Sequence, residues 1–267
     1  MLIAPDTKKR ISIAQVAGIA IEGNPSKATV SYASGADSRD IEPVADKFDI
    51  PLSTAPDLIT LSWEVSGIAV SAELELVTTR FCGVSDVRAY QPDETLLGDT
   101  SDEEIQDAID RAESLIEREC HRHLQPILTR GWTDRPNCRT SSLAVCDGAT
   151  AYDIRKVVSA TDQNGCKVSI RKASDCLLDV RDLKRATMAE VVLEVGMSPT
   201  PIETSKVVTM LAAWYLTPHA APDNATSSST DLGFMRFIVG GVDGAATSIP
   251  EVNAFIERYG LRDWQVG

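Results

Sequence analysis

The sequence predicts an α+β protein: a small N-terminal β domain, then a helical domain that carries a β insert. Three observations predict it. Residues 1–80 hold short runs rich in Val, Ile and Thr, partly alternating in polarity and separated by turn formers. Residues 101–120 combine a capping signal with one apolar stripe at helical spacing. Strand-like composition returns over residues 127–198, and a second helical stretch follows Pro201.

In the N-terminal segment, residues 1–80, the strand candidates are 10–21 (RISIAQVAGIAI), 27–33 (KATVSYA), 58–65 (LITLSWEV) and 68–77 (IAVSAELELV). Breakers lie between them: Gly23, Asn24 and Pro25; Ser34 and Gly35; Pro51; Pro56; Ser66 and Gly67. A small β-sandwich fits this pattern, although residues 35–57 have no clear place in it. The remainder, residues 81–267, begins with a short helix candidate at 84–90 (VSDVRAY). Ser101 followed by Glu104 then forms a capping box, behind which Ile105, Ala108, Ile109, Ala112, Leu115 and Ile116 recur every three or four residues. That helix, about 101–120, carries eight acids against Arg111 and Arg118.

Within the β insert, about 127–198, the best hairpin candidate joins 155–161 (RKVVSAT) to 167–171 (KVSIR) through Asp162, Gln163, Asn164 and Gly165. Residues 190–195 (EVVLEV) form a further strand closed by Gly196 and Pro199. A helix at about 203–216 places Val207, Val208, Leu211, Trp214 and Tyr215 on its apolar side, and Pro218 ends it. Residues 218–248 read as a flexible loop and arm: PHAAPDNATSSSTD, then an apolar hook at 234–239 and several glycines. Pro250 suits the first position of a last helix, about 250–260.

Composition limits the functions available. The 267 residues are 43% hydrophobic and 24% charged, enough to bury a core in one large or two modest domains. A net charge of −13 repels phosphate backbones and anionic membranes, which argues against tight general nucleic-acid binding. The six cysteines, at 82, 120, 138, 146, 166 and 176, form no CxxC pair and are expected to be reduced and buried. With no basic-then-apolar leader and no apolar run near 18 residues, the expectation is a cytoplasm-made chain without a membrane segment.

One stretch, ECHRHLQP at 119–126, invites a chemical reading. Cys120 and His123 at i,i+3 on a helix would face one way, and with His121 they are the candidate ligands for a zinc-type site. The competing account is a helix C-terminus. Arg118, Arg122 and the histidines complement the macrodipole, Cys120 extends the apolar stripe, and Leu124 and Pro126 mark the exit. The only other histidine, His219, has no ligand spacing to this cluster. Neither GxSxG, HExxH, GxGxxG nor a lysine-bearing phosphate loop occurs, so no catalytic residue is assigned.

The order of these pieces resembles a known family. An acidic capped helix ending IERECHRHLQP is followed by a β insert with VVSATDQNGCKVSI and VVLEVGMSPTP, then ETSKVVTMLAAWYL, a Ser/Thr-rich loop, and DLGFMRFIVGG with IPEVNAFIERYG. This is similar to the head–tail connector (adaptor) proteins of long-tailed bacteriophages, over about residues 81–267; residues 1–80 lie outside the resemblance. In that family a Gly often stands where His121 stands here, which favours the helix-terminus account.

The resemblance implies a structural virion protein in the neck, made in the host cytoplasm. Its subunits would form a ring, commonly of twelve, beneath the portal protein. That ring extends the DNA channel and receives a stopper or tail-terminator protein; genomic DNA passes through without sequence-specific binding. Neither a cofactor, a metal nor a membrane is implied, and the task is assembly, not catalysis. Phe234, Met235, Arg236, Phe237 and Ile238 are then expected to form an arm docking on the portal or a neighbouring copy, or else to pack in the protein's own core. Asp102, Glu103, Asp107, Asp110, Glu113 and Glu117 are expected on an acidic helix lining the lumen, or else facing outward or meeting basic neighbours. The alternatives are another neck component, either a stopper or a tail-completion protein, and a metal-dependent enzyme built on Cys120, His121 and His123.

Overall fold

A computed structural model describes residues 2–6, 8–12, 19–35, 38–51, 55–90, 97–135, 141–146, 149–184, 187–217, 227–230, 233–236 and 246–261. It is a mixed α and β structure with several sheets and, among these residues, four helices, in keeping with the α+β class.

The N-terminal sheet follows directly from side-chain alternation. Strands β1 (Leu2–Ile3), β2 (Lys8–Ser12), β3 (Ala20–Ile21), β4 (Ala28–Tyr32), β5 (Arg39–Ile41), β6 (Asp57–Val65) and β7 (Ile68–Val77) give a five-stranded sheet in the order β2-β7-β6-β4-β5 and a two-stranded pair, β1-β3. Ile59, Leu61 and Trp63 of β6 turn inward with Val30, Leu74 and Leu76 from its neighbours, while Thr60, Ser62 and Glu64 do not. Ser66 and Gly67, both at positive φ (53° and 82°), make the two-residue turn between β6 and β7. The long unplaced stretch is anchored by Phe48, buried and hydrogen-bonded both ways to Ile19. The β1-β3 pair shares this core, so what stands in place of the expected sandwich is one five-stranded sheet with a small parallel pair. The edge strand β2 is fastened by Glu75, which takes Lys8 at 3.1 Å and Arg10 at 3.1 Å.

The β insert supplies β8 (Ile127–Asp134), β9 (Ser141–Leu143), β10 (Val145–Cys146), β11 (Ala149–Thr150), β12 (Ile154–Asp162), β13 (Arg171–Lys172), β14 (Leu177–Asp179) and β15 (Met188–Val195). Two sheets result, β11-β10-β8-β15-β12 and β13-β14-β9. The predicted turn is present: Asp162 accepts hydrogen bonds from the backbone N–H groups of Asn164 and Cys166, both at 2.9 Å, and Gly165 takes φ 76°. The expected hairpin partner is different. β12 runs along β15 through two register shifts, and the 167–171 side contributes only a bridge between Thr161 and Lys167. β15, nearly continuous in Val and Leu, offers the stronger apolar face.

Contacts gather the chain into two compact units, 1–80 with 123–199 and 81–122 with 200–267. This grouping differs from a division at residue 80. Val77 joins the core of the insert, and Leu58 and Ala33 pack with Leu128 and Val192, so the insert belongs with the N-terminal sheet.

The second unit holds α1 (Val84–Tyr90), α2 (Asp102–Cys120), α3 (Thr204–Leu216), α4 (Pro250–Tyr259) and a hairpin of β16 (Ser227–Thr230) with β17 (Gly233–Arg236). Part of the loop expected over 218–231 is therefore strand. The capping box at Ser101 and Glu104 is complete: Glu104 N–H donates to Ser101 Oγ at 3.2 Å, and Ser101 N–H donates to Glu104 at 2.9 Å. Ile105, Ala108, Ile109, Ala112, Ile116 and Cys120 are buried as the stripe predicts. Leu115, expected inside, is half-exposed. Glu113 and Glu117 are buried instead, so the packed side of α2 is rotated toward them. α2 packs on α3, and Arg111 lies 4.0 Å over the Tyr215 ring. Among the described residues no helix is long and apolar enough to cross a membrane.

Candidate functional site

The ECHRHLQP corner is a helix terminator. His121 adopts the left-handed conformation, φ 53° and ψ 30°. Its N–H donates to Arg118 O at 3.1 Å, and the next N–H, of Arg122, reaches back to Glu117 O at 3.3 Å. These two bonds are the Schellman pattern, which satisfies carbonyls the helix leaves open and favours glycine at the left-handed position. The C-terminal end of α4 closes the same turn: Leu261 N–H donates to Cys120 O at 2.9 Å, and Arg122 donates to Tyr259 O at 3.3 Å.

Cys120 is fully buried. Burial, then the nearby Glu117 carboxylate, pushes its thiol up to about 12, so the sulfur is a neutral apolar group at physiological pH. His121 projects from an exposed backbone corner, and the His123 carbonyl accepts a hydrogen bond from Met197 N–H at 3.0 Å. Among the described residues no group of three or more His, Cys, Asp or Glu side chains is placed to hold a metal ion; His219 lies outside them. The cysteines do not all share the expected burial. Cys82 and Cys120 are buried, Cys146 and Cys176 are half-buried, and Cys166 is exposed on the turn after β12.

The six acids expected on one solvated helix face separate into two sets. Glu103, Asp107, Asp110, Glu113 and Glu117 follow one side of α2 at spacings of four and three. Asp102, Glu103 and Asp107 are exposed and Asp110 is half-buried, whereas Glu113 and Glu117 are 2% and 7% exposed. The last two therefore face protein in this chain and are not available to solvent. Asp102 pairs with Arg88 at 2.7 Å. Glu104 is held below its usual range by the Ser101 backbone N–H, as an N-terminal carboxylate should be.

For the arm, Phe234, Met235 and Arg236 belong to β17, whose backbone pairs with the Ser-rich β16, Ser227 opposite Arg236 and Ser229 opposite Phe234. Phe237 and Ile238 lie outside the described residues.

The sequence reading passed over a cationic surface on the insert. Residues 155–184 hold seven Lys and Arg against four Asp, within a chain of net charge −13. Arg155 and Lys156 share the single carboxylate of Glu194, both at 2.8 Å, and Lys172 and Arg181 pair with Asp175 and Asp179. Lys167, Arg171 and Lys184 are exposed and make no salt bridge among the described residues. A charge count by segment would have revealed this excess.

No protein-family model matches the chain, and comparison with curated protein sequences finds no match.

Proposed function

We propose that this chain is a structural subunit of a bacteriophage neck, forming a ring between portal and tail. The ring extends the DNA channel and serves as the platform on which a stopper or tail-terminator protein docks. Its partners are the portal protein, further copies of the chain in a ring of about twelve, and the next neck protein. DNA passes without sequence-specific contact, and no bond is made or broken.

The observation that carries this reading is the corner after α2. The family resemblance sets a glycine at the position of His121, and the backbone there is left-handed, the conformation glycine favours. The element order supports it as well: a capped acidic helix, a sheet-forming insert, a second helix, a hairpin with the apolar GFMR strand, and a short helix returning to the first. Acids at the exposed start of α2 would not grip phosphate, which suits a passage through which DNA must slide.

The test is location. Antibodies against the chain should label the head–tail junction of purified virions, and the chain should co-purify with the portal. Deleting residues 232–241 should leave a folded subunit that no longer joins portal-containing heads. Recovery only outside particles, with no portal association, overturns the reading; normal joining by the deletion variant overturns the role of the arm.

A further inference from the structure

We propose that Asn164 is a site of spontaneous deamidation, and that the turn around it, through Asp162, sets the pace. The chain has five asparagines, and only Asn164 precedes a glycine. A glycine puts no side chain in the way when its backbone nitrogen turns on the preceding asparagine amide. Space is open in the folded chain too. Beyond its chain neighbours, no atom of the described residues lies within 4 Å of where a Cβ of Gly165 would stand, and residues 163–167 are all exposed.

The chemistry needs only water. The backbone nitrogen of Gly165 attacks Cγ of Asn164 to form a cyclic imide, and the side-chain nitrogen leaves as ammonia, carrying the proton that the Gly165 nitrogen gives up. Water then opens the ring at either carbonyl, giving aspartate or isoaspartate. One water is consumed, one ammonia is released, and an amide becomes a carboxylate.

The turn holds this reaction back. Gly165 N–H donates to Asp162 O at 2.9 Å, a bond that must open before the nitrogen can attack. Asp162 Oδ1 accepts the N–H groups on either side, of Asn164 and Cys166, both at 2.9 Å. Asp162 N–H in turn donates to Cys166 O at 2.9 Å, which fastens the turn to the end of β12. The Cys166 N–H, and after it that of Asn164, holds the Asp162 carboxylate below its usual range. The group is therefore ionised at neutral pH, and its charge opposes removal of the Gly165 amide proton. Deamidation waits on local opening, a low-cost excursion at an exposed hairpin end. The product puts a second carboxylate beside Asp162, and the isoaspartyl form adds a carbon to the backbone at residue 164. The bonds of the turn then no longer match, and the end of β12 loosens as the chain ages.

Purified full-length chain, aged for weeks at neutral pH and followed by peptide mass spectrometry, tests this. Asn164 should convert before any of the other asparagines. Urea-unfolded chain should convert about tenfold faster than folded chain, and folded Asp162→Ala should approach the unfolded rate, because losing a hydrogen bond to a charged group is a factor of about ten or more. Folded against unfolded wild type decides the role of the turn even if Asp162→Ala does not fold. Another asparagine converting first, or a folded Asn164 still intact when the unfolded one has fully converted, overturns the site. Equal rates in folded and unfolded chain, or a folded Asp162→Ala variant at the wild-type pace, overturn the role of the turn.

Discussion

At position 121 glycine should make a more stable protein than alanine. The residue sits at φ 53° and ψ 30°, a region that costs an L-residue on the order of 1–2 kcal/mol and glycine almost nothing. Both hydrogen bonds of the terminator, His121 N–H to Arg118 O and Arg122 N–H to Glu117 O, are backbone bonds that glycine keeps. The His121 side chain is exposed, so truncation opens no cavity. Against the gain stands the extra freedom of glycine in the unfolded chain, roughly 0.5–1 kcal/mol. Any favourable interaction of the imidazole with the helix C-terminus, about 0.3–1 kcal/mol, is lost as well. The imidazole is lost in glycine and alanine alike, so glycine should exceed alanine by about 0.5–1 kcal/mol, roughly 2–4 °C in Tm for a unit of this size, and should lie close to wild type. Calorimetry of wild type, His121→Gly and His121→Ala resolves the terms, because alanine removes the imidazole and keeps the strain. A glycine variant that melts below the alanine variant would refute the reasoning.

Gly196→Ala should act in the opposite sense. At φ 110°, a Cβ there would lie 2.8 Å from the Gln125 carbonyl carbon and 3.3 Å from His123 Cβ, so a loss of about 3 kcal/mol or more is expected, read as a lowered Tm or insoluble expression. Ser101→Ala removes the cap on Glu104 N–H and should cost about 1 kcal/mol in urea unfolding, while Ser101→Thr should cost less. Cys166 should react with a maleimide in the native protein and Cys120 only on unfolding, a contrast that mass spectrometry of the labelled peptides reads directly. The raised Cys120 thiol carries a pH signature too. The unfolded thiol ionises near 9 and the folded one near 12, so this group's contribution is whole below pH 9 and is lost as pH rises toward 12; Cys120→Val should lack that alkaline loss.

Local signals were the readable part of this sequence. The capping box, the Ser66–Gly67 turn and Pro250 at a helix start each involve residues a few positions apart, and each formed as the spacing implied. Pairing across long separations was not readable. β12 could meet 167–171 next door or β15 some thirty residues on, and composition does not say that the apolar run of β15 wins. The same blindness placed the insert with the helices, when Leu128 and Val192 in fact pack on Leu58. In α2 the stripe was legible, but its width was not. Counting Leu115 as inward and every acid as outward ignored that Glu113 and Glu117 flank the same buried side. The charge excess of the insert was written in the string and was missed because charge was weighed for the whole chain and for one helix only.

The interleaving of the two units has a consequence for biosynthesis. α2 leaves the ribosome with Ile105, Ile109 and Ile116 already patterned for burial, yet its partner α3 begins only at Thr204. At ~5–20 residues per second, the intervening ~80 residues keep that face waiting for several seconds, long enough for most small domains to fold. The nascent helix must stay clear of other chains through that delay, and its dense acidic start supplies a repulsive coat. That charge would thus serve as protection during synthesis.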